Sequence, residues 1–526
     1  MSFTRRQFLL TSGASILALG LDAARARIAE ARGLLVDRTL DEILSRALAA
    51  ARKAGASYAD IRIMRRRQED VATREDHITH VSYVEDYGFG IRVIAQGAWG
   101  FAASSRVDPK EAERVAQLAV DIARANARVV KRPVALAPVA AHVDVWQTPL
   151  LKDPFKIPPS DKAELLLGAS AEALKVPGVR FAGAALSSLG EWKLLASTDG
   201  AYIEQSLTRI GPTFVATAVD PQSGEFTSRA HELPAMQGGW EMVENSSLLA
   251  DARRIGEDAV AKLKSASVTP GKRDLILAPS NLWLTIHESV GHPTELDRAL
   301  GYEANMAGTS FATVDKLGKL RYAAPLVTLF ADKTTPGGLA TCGYDDDGVK
   351  TQRWDLVKDG LFVGYQTTRE QAGWIGEKAS RGCSHAQDYK SFPFQRMPNV
   401  SLAPGKKPLG VEDLIAATED GIYITGNGSW SIDHQRYNFQ FGGQMFYEVK
   451  HGKIVRPLKD VAYQSNTLEF WNACDLIGGD KEWVMGGSLF DGKGEPGQVN
   501  AVSHGCSPAR FRGVNILNTN ARGKRA

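Results

Sequence analysis

The sequence predicts an α+β protein, with an N-terminal α/β half and a β-rich C-terminal half. Three observations lead there. Up to Ser267, amphipathic helical segments alternate with strand-like runs; from Ala324 onwards the chain is almost wholly strands and tight turns; Val268-Thr269-Pro270-Gly271 breaks both patterns between the two. At 526 residues the chain is also too long for one simple domain. The expected units are residues 36–267, as two subdomains joined near 130–160, and residues 270–526.

Residues 38–54 carry leucine and alanine at helical spacing, which predicts the first helix. Strand-like runs follow from Ala59 and end in YGFGIRVIAQGAWGFAASS, where Gln96-Gly97 marks a hairpin turn. A second amphipathic helix begins at Asp108, an N-cap residue type with proline in the first turn behind it. The proline-rich stretch 130–159 reads as a linker. Next come a helix near 160–175, strands over 179–219 with Asp199-Gly200 as a turn, and a helix near 246–266. DLILAP then reads as a strand, and Ser280 stands where it can cap a helix carrying Leu282, Leu284 and Ile286. Beyond it, Asp359-Gly360 and His451-Gly452 punctuate hairpins, and one helix near 466–474 interrupts the strands.

The charge balance narrows the partners. Net charge is +3, and part of that excess sits in Arg5, Arg6, Arg25, Arg27 and the terminal RGKRA, so the body is close to neutral. This argues against nucleic acid as the main partner. TRRQFLL, a weakly apolar stretch to Leu21 and then AARA follow the order of a secretory signal. Paired Arg5-Arg6 before Phe8 and Leu9 resembles the twin-arginine type, so residues 1–26 are expected to be a signal peptide cut after Ala26. Thr11, Ser12, Gly13 and Ser15 keep the stretch well short of the ~20 apolar residues of a transmembrane helix. The expected location is the periplasm or cell envelope, with no transmembrane span after signal removal. Cys342, Cys383, Cys474 and Cys506 are far apart and form no C-x-x-C pair, so this is no disulfide scaffold, although two disulfides could form in an oxidising compartment.

HESVGHPTELD, residues 287–297, carries the chemistry. It resembles the zinc motif H-E-x-x-H, in which two histidines one turn apart share a helix face and the glutamate is the general base. Here His287 and His292 are five apart, which on a regular helix leaves them about 140° from one another. Gly291 weakens the helix and Pro293 biases His292 away from the α region, so a wide turn or break is expected to swing His292 back towards His287. Glu288 would then face the reacting water as general base.

Other constellations carry less. His77 and His80 lie in a strand-like run at odd separation, hence on opposite faces, and His231-Glu232 reads as a surface pair without a partner histidine. Asp345-Asp346-Asp347-Gly348 lacks the ligand ladder of a calcium loop and reads as a turn. Gly88-Phe89-Gly90 lacks the third glycine of a dinucleotide loop, and neither a phosphate-binding G-x-x-x-x-G-K-[ST] nor a G-x-S-x-G elbow occurs. Trp430 and Trp471 are expected in the core.

HESVGHPTELD after LILAPSNLWL resembles the TldD branch of the TldD/PmbA (modulator of DNA gyrase) metallopeptidases, and YGFGIRVIAQGAWGFAAS, DDDGVKTQRWDLVKDGLFVGY, MPNVSLAPG, EDGIYITGNGSWSID and GKGEPGQ appear in family order. The resemblance spans nearly everything after the signal. It implies a two-part fold of the TldD/PmbA type with a β-rich catalytic half, a zinc ion (Zn2+), and peptides bound in extended form. It also implies a homodimer, or a heterodimer with a related subunit, around an enclosed cavity. His287 and His292 would be zinc ligands and Glu288 the base. The family's third ligand is a cysteine before a Gly-Lys pair, and here that position is Asp491, in FDGKGEPGQ. A carboxylate can complete a two-histidine zinc site; Cys506 and His504, in SHGCSP, are the alternatives. The reading is a zinc-dependent peptidase acting on short or unstructured peptides. The alternative is a non-catalytic peptide-binding or scaffolding subunit of such an assembly. Replacing Arg5 and Arg6 by lysine is expected to leave the protein in the cytoplasm on cell fractionation, and unchanged export would rule the twin-arginine route out.

Overall fold

The computed structural model describes residues 38–520, so the expected signal peptide lies outside the described residues. Secondary structure begins with α1 (Arg38–Lys53) and the long hairpin β1 (Tyr58–Arg74) and β2 (His77–Ala95), followed by β3 (Ala98–Ser104) and α2 (Pro109–Asn126). Asp108 caps α2 through the N–H of Glu111, with Pro109 in the first turn. The proline-rich stretch is mostly irregular but contains β4 (Val143–Gln147). It leads to α3 (Pro159–Leu174), β5 (Val179–Ser197), β6 (Tyr202–Val219) and α4 (Leu248–Lys264). The strands form one sheet in the order β3-β2-β1-β5-β6-β4, with two short strands, Phe226–Ala230 and Met236–Gln237, on β6. Segments before and after the proline-rich stretch therefore share a single sheet.

Strand alternation explains how that sheet serves both halves. On one face, Ile61, Ile63, Leu194 and Ala196 pack against α1 and α2, while Val71, Leu186 and Ala184 on the same face pack against α3 and α4. The strands are 17–19 residues long, enough to seat two helix pairs side by side. The opposite face is charged and meets the C-terminal half. Arg92 pairs with Asp347 at 2.7 Å, Lys193 with Asp346 at 3.1 Å, and Arg62 lies 3.7 Å from Asp346. Asp345, Asp346 and Asp347 thus form a turn, as expected, but a buried one: the carboxylates of Asp346 and Asp347 hold the halves together, and that of Asp345 accepts the N–H groups of Asp347, Val349 and Ser384.

The C-terminal half is built on β7 (Gly271–Leu277), α5 (Pro279–Ile286), β8 (Asn399–Leu402), β9 (Asp420–Ile432), β10 (Asn438–Lys450), β11 (Lys453–Lys459), β12 (Val461–Asn466), β13 (Val484–Lys493), β14 (Gln498–Cys506) and β15 (Ala509–Asn518). Five of these close on themselves: β9 pairs with β7, then β15, β12, β10 and β9 again. Stacked aromatics fill the interior, with Phe470 3.9 Å from Phe511 and Phe439 4.7 Å from Phe441, centroid to centroid. Outside the ring, β13 and β14 form a separate hairpin that packs on α5. The fold is α+β.

Several local expectations change. Trp471 is fully buried, but Trp430 is 57% exposed, on the part of β9 that runs beyond its pairing with β7. Helix α5 starts at Pro279 with Ala278 as cap; Ser280 Oγ instead accepts the N–H of Gly426, tying the helix to a bulge in β9. His231 is no surface residue: its ring is buried against Asp251 at 3.2 Å. All four cysteines are free thiols. His77 and His80 lie on the exposed end of β2.

Trp483 fixes the site's hairpin to its neighbour. Its indole donates to Leu402 O at 3.0 Å, and its ring lies over Gly505, where a Cβ would fall 1.8 Å from a ring carbon. Gly505→Ala is expected to lower stability by about 1–3 kcal/mol through overpacking, read as an earlier urea midpoint. An unchanged midpoint would show that Trp483 yields freely.

Candidate metal centre

Helix α5 carries the histidine motif out of the ring and then widens. Over His287–Gly291 the backbone forms a π turn, in which the N–H of His292 donates to the carbonyl of His287. An i→i+5 bond brings residue i+5 round above residue i. The two rings, which a regular helix would splay by about 140°, therefore face each other at 4.6 Å between centroids. This wide turn replaces a break at Gly291 and His292, since His292 keeps helical φ −64° and ψ −44°. The pre-proline bias is a preference only, and here tertiary bonds override it. Thr294 Oγ1 donates to Val290 O at 2.7 Å, Gln366 Nε2 to Gly291 O at 2.6 Å, and the Tyr322 hydroxyl to Ser289 O. Carbonyls freed by the widened turn are thereby satisfied. Gly291 lies close against Met397, whose Sδ would sit 2.6 Å from a Cβ there and would have to shift.

The third residue arrives on β13. Asp491 Oδ1 lies 3.5 Å from His287 Nε2 and 3.7 Å from His292 Nε2. All three side chains are buried, and each offers a donor atom within 4.8 Å of the others. Arg396 holds the other carboxylate oxygen of Asp491 at 3.2 Å, which leaves Oδ1 facing the histidines.

Hydrogen bonds behind the rings fix which nitrogen is free. Val400 O can only accept, so His504 donates to it from Nδ1 at 2.7 Å, and its Nε2 accepts the Nδ1–H of His287 at 2.8 Å. His292 donates from Nδ1 to Glu295 Oε2 at 3.0 Å. Both Nε2 atoms thereby face Asp491. Glu295 is in turn held by Arg298 at 2.9 Å and Lys493 at 3.1 Å. Lys493 stands two residues beyond Asp491 on the same face of β13, so one strand supplies both the carboxylate and the prop behind His292.

The electrostatics agree. Burial raises the Asp491 carboxyl, but its hydrogen bond to His287 and the charges of His287, His292 and Arg396 outweigh this, and it lies below the usual carboxylate range. Burial, Arg436 and Arg298 bring His292 down to about 4, so its imidazole is neutral. Burial lowers His287, but the Asp491 hydrogen bond and charge more than offset it, and the net shift is upward. Two imidazole Nε2 atoms and one ionised carboxylate oxygen, each oriented from behind, are a donor set that fits zinc with a position left for reactants, and zinc would displace the proton that Asp491 favours on His287.

Glu288 is buried beside His287 and is ion-paired with Arg436. Of the two alternatives for the third donor, His504 lies behind His287 with both ring nitrogens in use. The Cys506 thiol faces Pro279 O at 3.8 Å, burial raises its pKa, and the donor cluster contains no cysteine. Sequence reasoning missed Glu295, Arg298, Arg396, Arg436 and Lys493. Glu295 and Lys493 were signalled, three residues after His292 and two after Asp491. Arg396 and Arg436 lie on distant segments and had no such local mark.

Comparison with known proteins places the chain in a family. Profiles of the PmbA/TldA metallopeptidase domain 1, central domain and C-terminal domain match residues 59–123, 152–266 and 270–517. The chain belongs to the PmbA/TldD metallopeptidase family. It is 28% identical to a metalloprotease of Methanothermobacter thermautotrophicus over 88% of this chain and 96% of that one. It is 24% identical to a zinc metalloprotease TldD homolog of Saccharolobus solfataricus, over 86% and 95%. Similar folds include a DNA gyrase modulator from Thermotoga maritima, with TM-score 0.71 at 17% identity over 91% of this chain and all of that one. TldE from Thermococcus kodakarensis gives 0.67 at 16%, over 90% and 100%.

The His504–His287 bond should matter to metal binding without supplying a donor atom. His504→Phe is expected to weaken zinc affinity roughly 10–100-fold, measured by competition with a chromophoric chelator. Unaltered affinity would show that His287 needs no orientation.

Proposed function

We propose that the chain is a zinc-dependent peptidase that hydrolyses peptide bonds of short or unstructured peptides, with His287, His292 and Asp491 holding the metal and Glu288 as general base. One observation carries this reading: the π turn and β13 converge two imidazole Nε2 atoms and a carboxylate oxygen in a buried cluster, with Glu288 beside it. Zinc in the name of the Saccharolobus solfataricus relative supports the choice of metal. When bound, zinc supplies Lewis acidity that polarises a carbonyl and lowers the pKa of water towards ~7.

The chain's own residues do the rest. Glu288 takes a proton from the attacking water as the water oxygen bonds to the carbonyl carbon and the carbonyl π pair moves to oxygen. Collapse breaks the C–N bond, the proton held by Glu288 passes to the leaving nitrogen, and the second water proton leaves the new carboxyl group for the amine, giving a carboxylate and an ammonium ion. His504 and Glu295 keep the two imidazoles aimed, and Arg396 keeps Asp491 Oδ1 turned towards them.

The ion pair of Glu288 with Arg436 favours a second reading, since a carboxylate neutralised by a guanidinium is a poor base. In it the chain is a non-catalytic peptide-binding or scaffolding subunit. Either way we place it in a homodimer or a heterodimer with a related subunit, a reading supported by the fold shared with TldE, and in the periplasm or cell envelope.

Metal analysis and turnover together separate the readings. Purified protein is expected to carry one zinc per chain, and Glu288→Gln to keep it while losing roughly 10²-fold or more in peptide cleavage. Near-normal cleavage by that variant would remove Glu288 from the mechanism, and absence of zinc in the wild type would favour the binding subunit. Asp491→Ala should lose zinc with the fold intact, and Cys506→Ala should retain it; the reverse would hand the coordination to Cys506.

A further inference from the structure

Arg436 sits in the turn between β9 and β10, at φ 61°, a left-handed conformation that glycine adopts freely and arginine does not. The surrounding bonds enforce it. Its N–H donates to Asp433 O at 2.9 Å, its carbonyl accepts from Thr467 Oγ1 at 2.9 Å, and the Asp433 carboxylate takes the next two N–H groups, of Tyr437 at 2.8 Å and Asn438 at 3.0 Å. The turn is docked as well, its His434 and Gln435 carbonyls accepting the N–H groups of Thr309 and Phe311 at 2.8 and 2.9 Å. A fixed turn thus delivers one cation to the side of the candidate base.

The guanidinium is only half used. One Nη pairs with Glu288, while Nε–H is buried with no hydrogen-bond partner among the described residues. A buried charged donor left unpaired is costly, and this one stands beside the carboxylate expected to activate water. Paired with Arg436 through Oε2, Glu288 is a weaker base than it becomes when Arg436 is drawn off it. An acceptor able to do that appears during the reaction itself, as the carbonyl π pair moves to oxygen.

We propose that Arg436 is a catalytic residue of the peptidase, pairing with Glu288 in the free protein and donating to the carbonyl oxygen of the scissile bond as negative charge builds there. The inference rests on the peptidase reading above. The exchange of partners charges no new atom: the guanidinium stays protonated throughout, moving from the carboxylate to the oxyanion, and Glu288 is freed as base in the same movement. It also explains how a carboxylate clamped by arginine serves an enzyme, because the clamp opens only with substrate present. Donors placed for the oxyanion act on the transition state far more than on bound substrate.

The test uses zinc-loaded full-length protein, a quenched-fluorescent peptide of mixed sequence, and a peptidyl phosphinate that mimics the tetrahedral oxyanion. Arg436→Ala is expected to keep zinc and fold, to lose about 10²–10³-fold in kcat with KM within roughly threefold, and to lose affinity for the phosphinate but not for the uncleaved peptide. Arg436→Lys should recover part of kcat, and millimolar guanidinium should partly rescue Arg436→Ala, neither of which a purely structural role would allow. A raised KM with kcat intact would make Arg436 a substrate anchor and overturn the proposal, as would wild-type turnover in Arg436→Ala. A zinc-loaded wild type that neither cleaves the peptide nor prefers the phosphinate overturns the peptidase reading, and this inference with it.

Discussion

One hydrogen bond organises the site: the N–H of His292 donating five residues back to His287. A four-residue step would turn one ring away. The five-residue step brings them edge to face, 4.6 Å apart between centroids, and everything else arranged around the motif supports that wider turn. Tyr322, Thr294 and Gln366 come from three different segments to satisfy the loosened carbonyls. Ser289, in the middle of the turn, accepts the Trp471 indole at 2.9 Å, so the turn is also tied to the aromatic core of the closed ring. These bonds satisfy buried carbonyls and an indole around a turn whose backbone bonding is unusual, with Gly291 O accepting from both Gln366 and Thr294.

Behind the donor atoms lies a layer of charge that sets orientation. Glu295 is held well below the usual carboxylate range, because Lys493, Arg298 and His292 together outweigh the burial that would raise it. As an anion it accepts from His292 and fixes that ring. The Val400 carbonyl does the equivalent for His287 through the His504 ring, which stacks on Trp283 with an interplanar angle of 8°. The two histidines are thus aimed by different chemistry, one by a carboxylate and one by a neutral relay. Arg396 completes the set by engaging one oxygen of Asp491 and leaving the other free.

Much of this was legible in the chain. Gln96-Gly97, Asp359-Gly360 and His451-Gly452 all adopt the positive φ pairs their residue types favour, and the helix caps at Asp108 and Asn466 follow their side chains. Resemblance pointed to His287, Glu288, His292 and Asp491, which the fold brings together across a sequence gap of about 200 residues. What local pattern could not carry depends on distant partners. The π turn rests on Gln366 and Tyr322; the ring closes through a parallel pairing of β7 with β9, far apart in sequence. Ser280 and Trp430 were misplaced for the same reason, since a bulge in β9 takes the serine and the strands' overrun exposes the tryptophan. The acidic triplet 345–347 was legible as a turn, but not its burial, because its cations, Arg62, Arg92 and Lys193, belong to the other half of the molecule.

Asp491 stands where the resemblance implies a cysteine, which makes the proposed donor set the chain's defining chemical feature. X-ray absorption at the zinc edge of the purified protein reads that set directly. The account predicts only nitrogen and oxygen neighbours at about 2.0–2.2 Å, with imidazole scattering from two histidines. A sulfur neighbour at about 2.3 Å would contradict it, placing a thiolate where the structure puts Asp491.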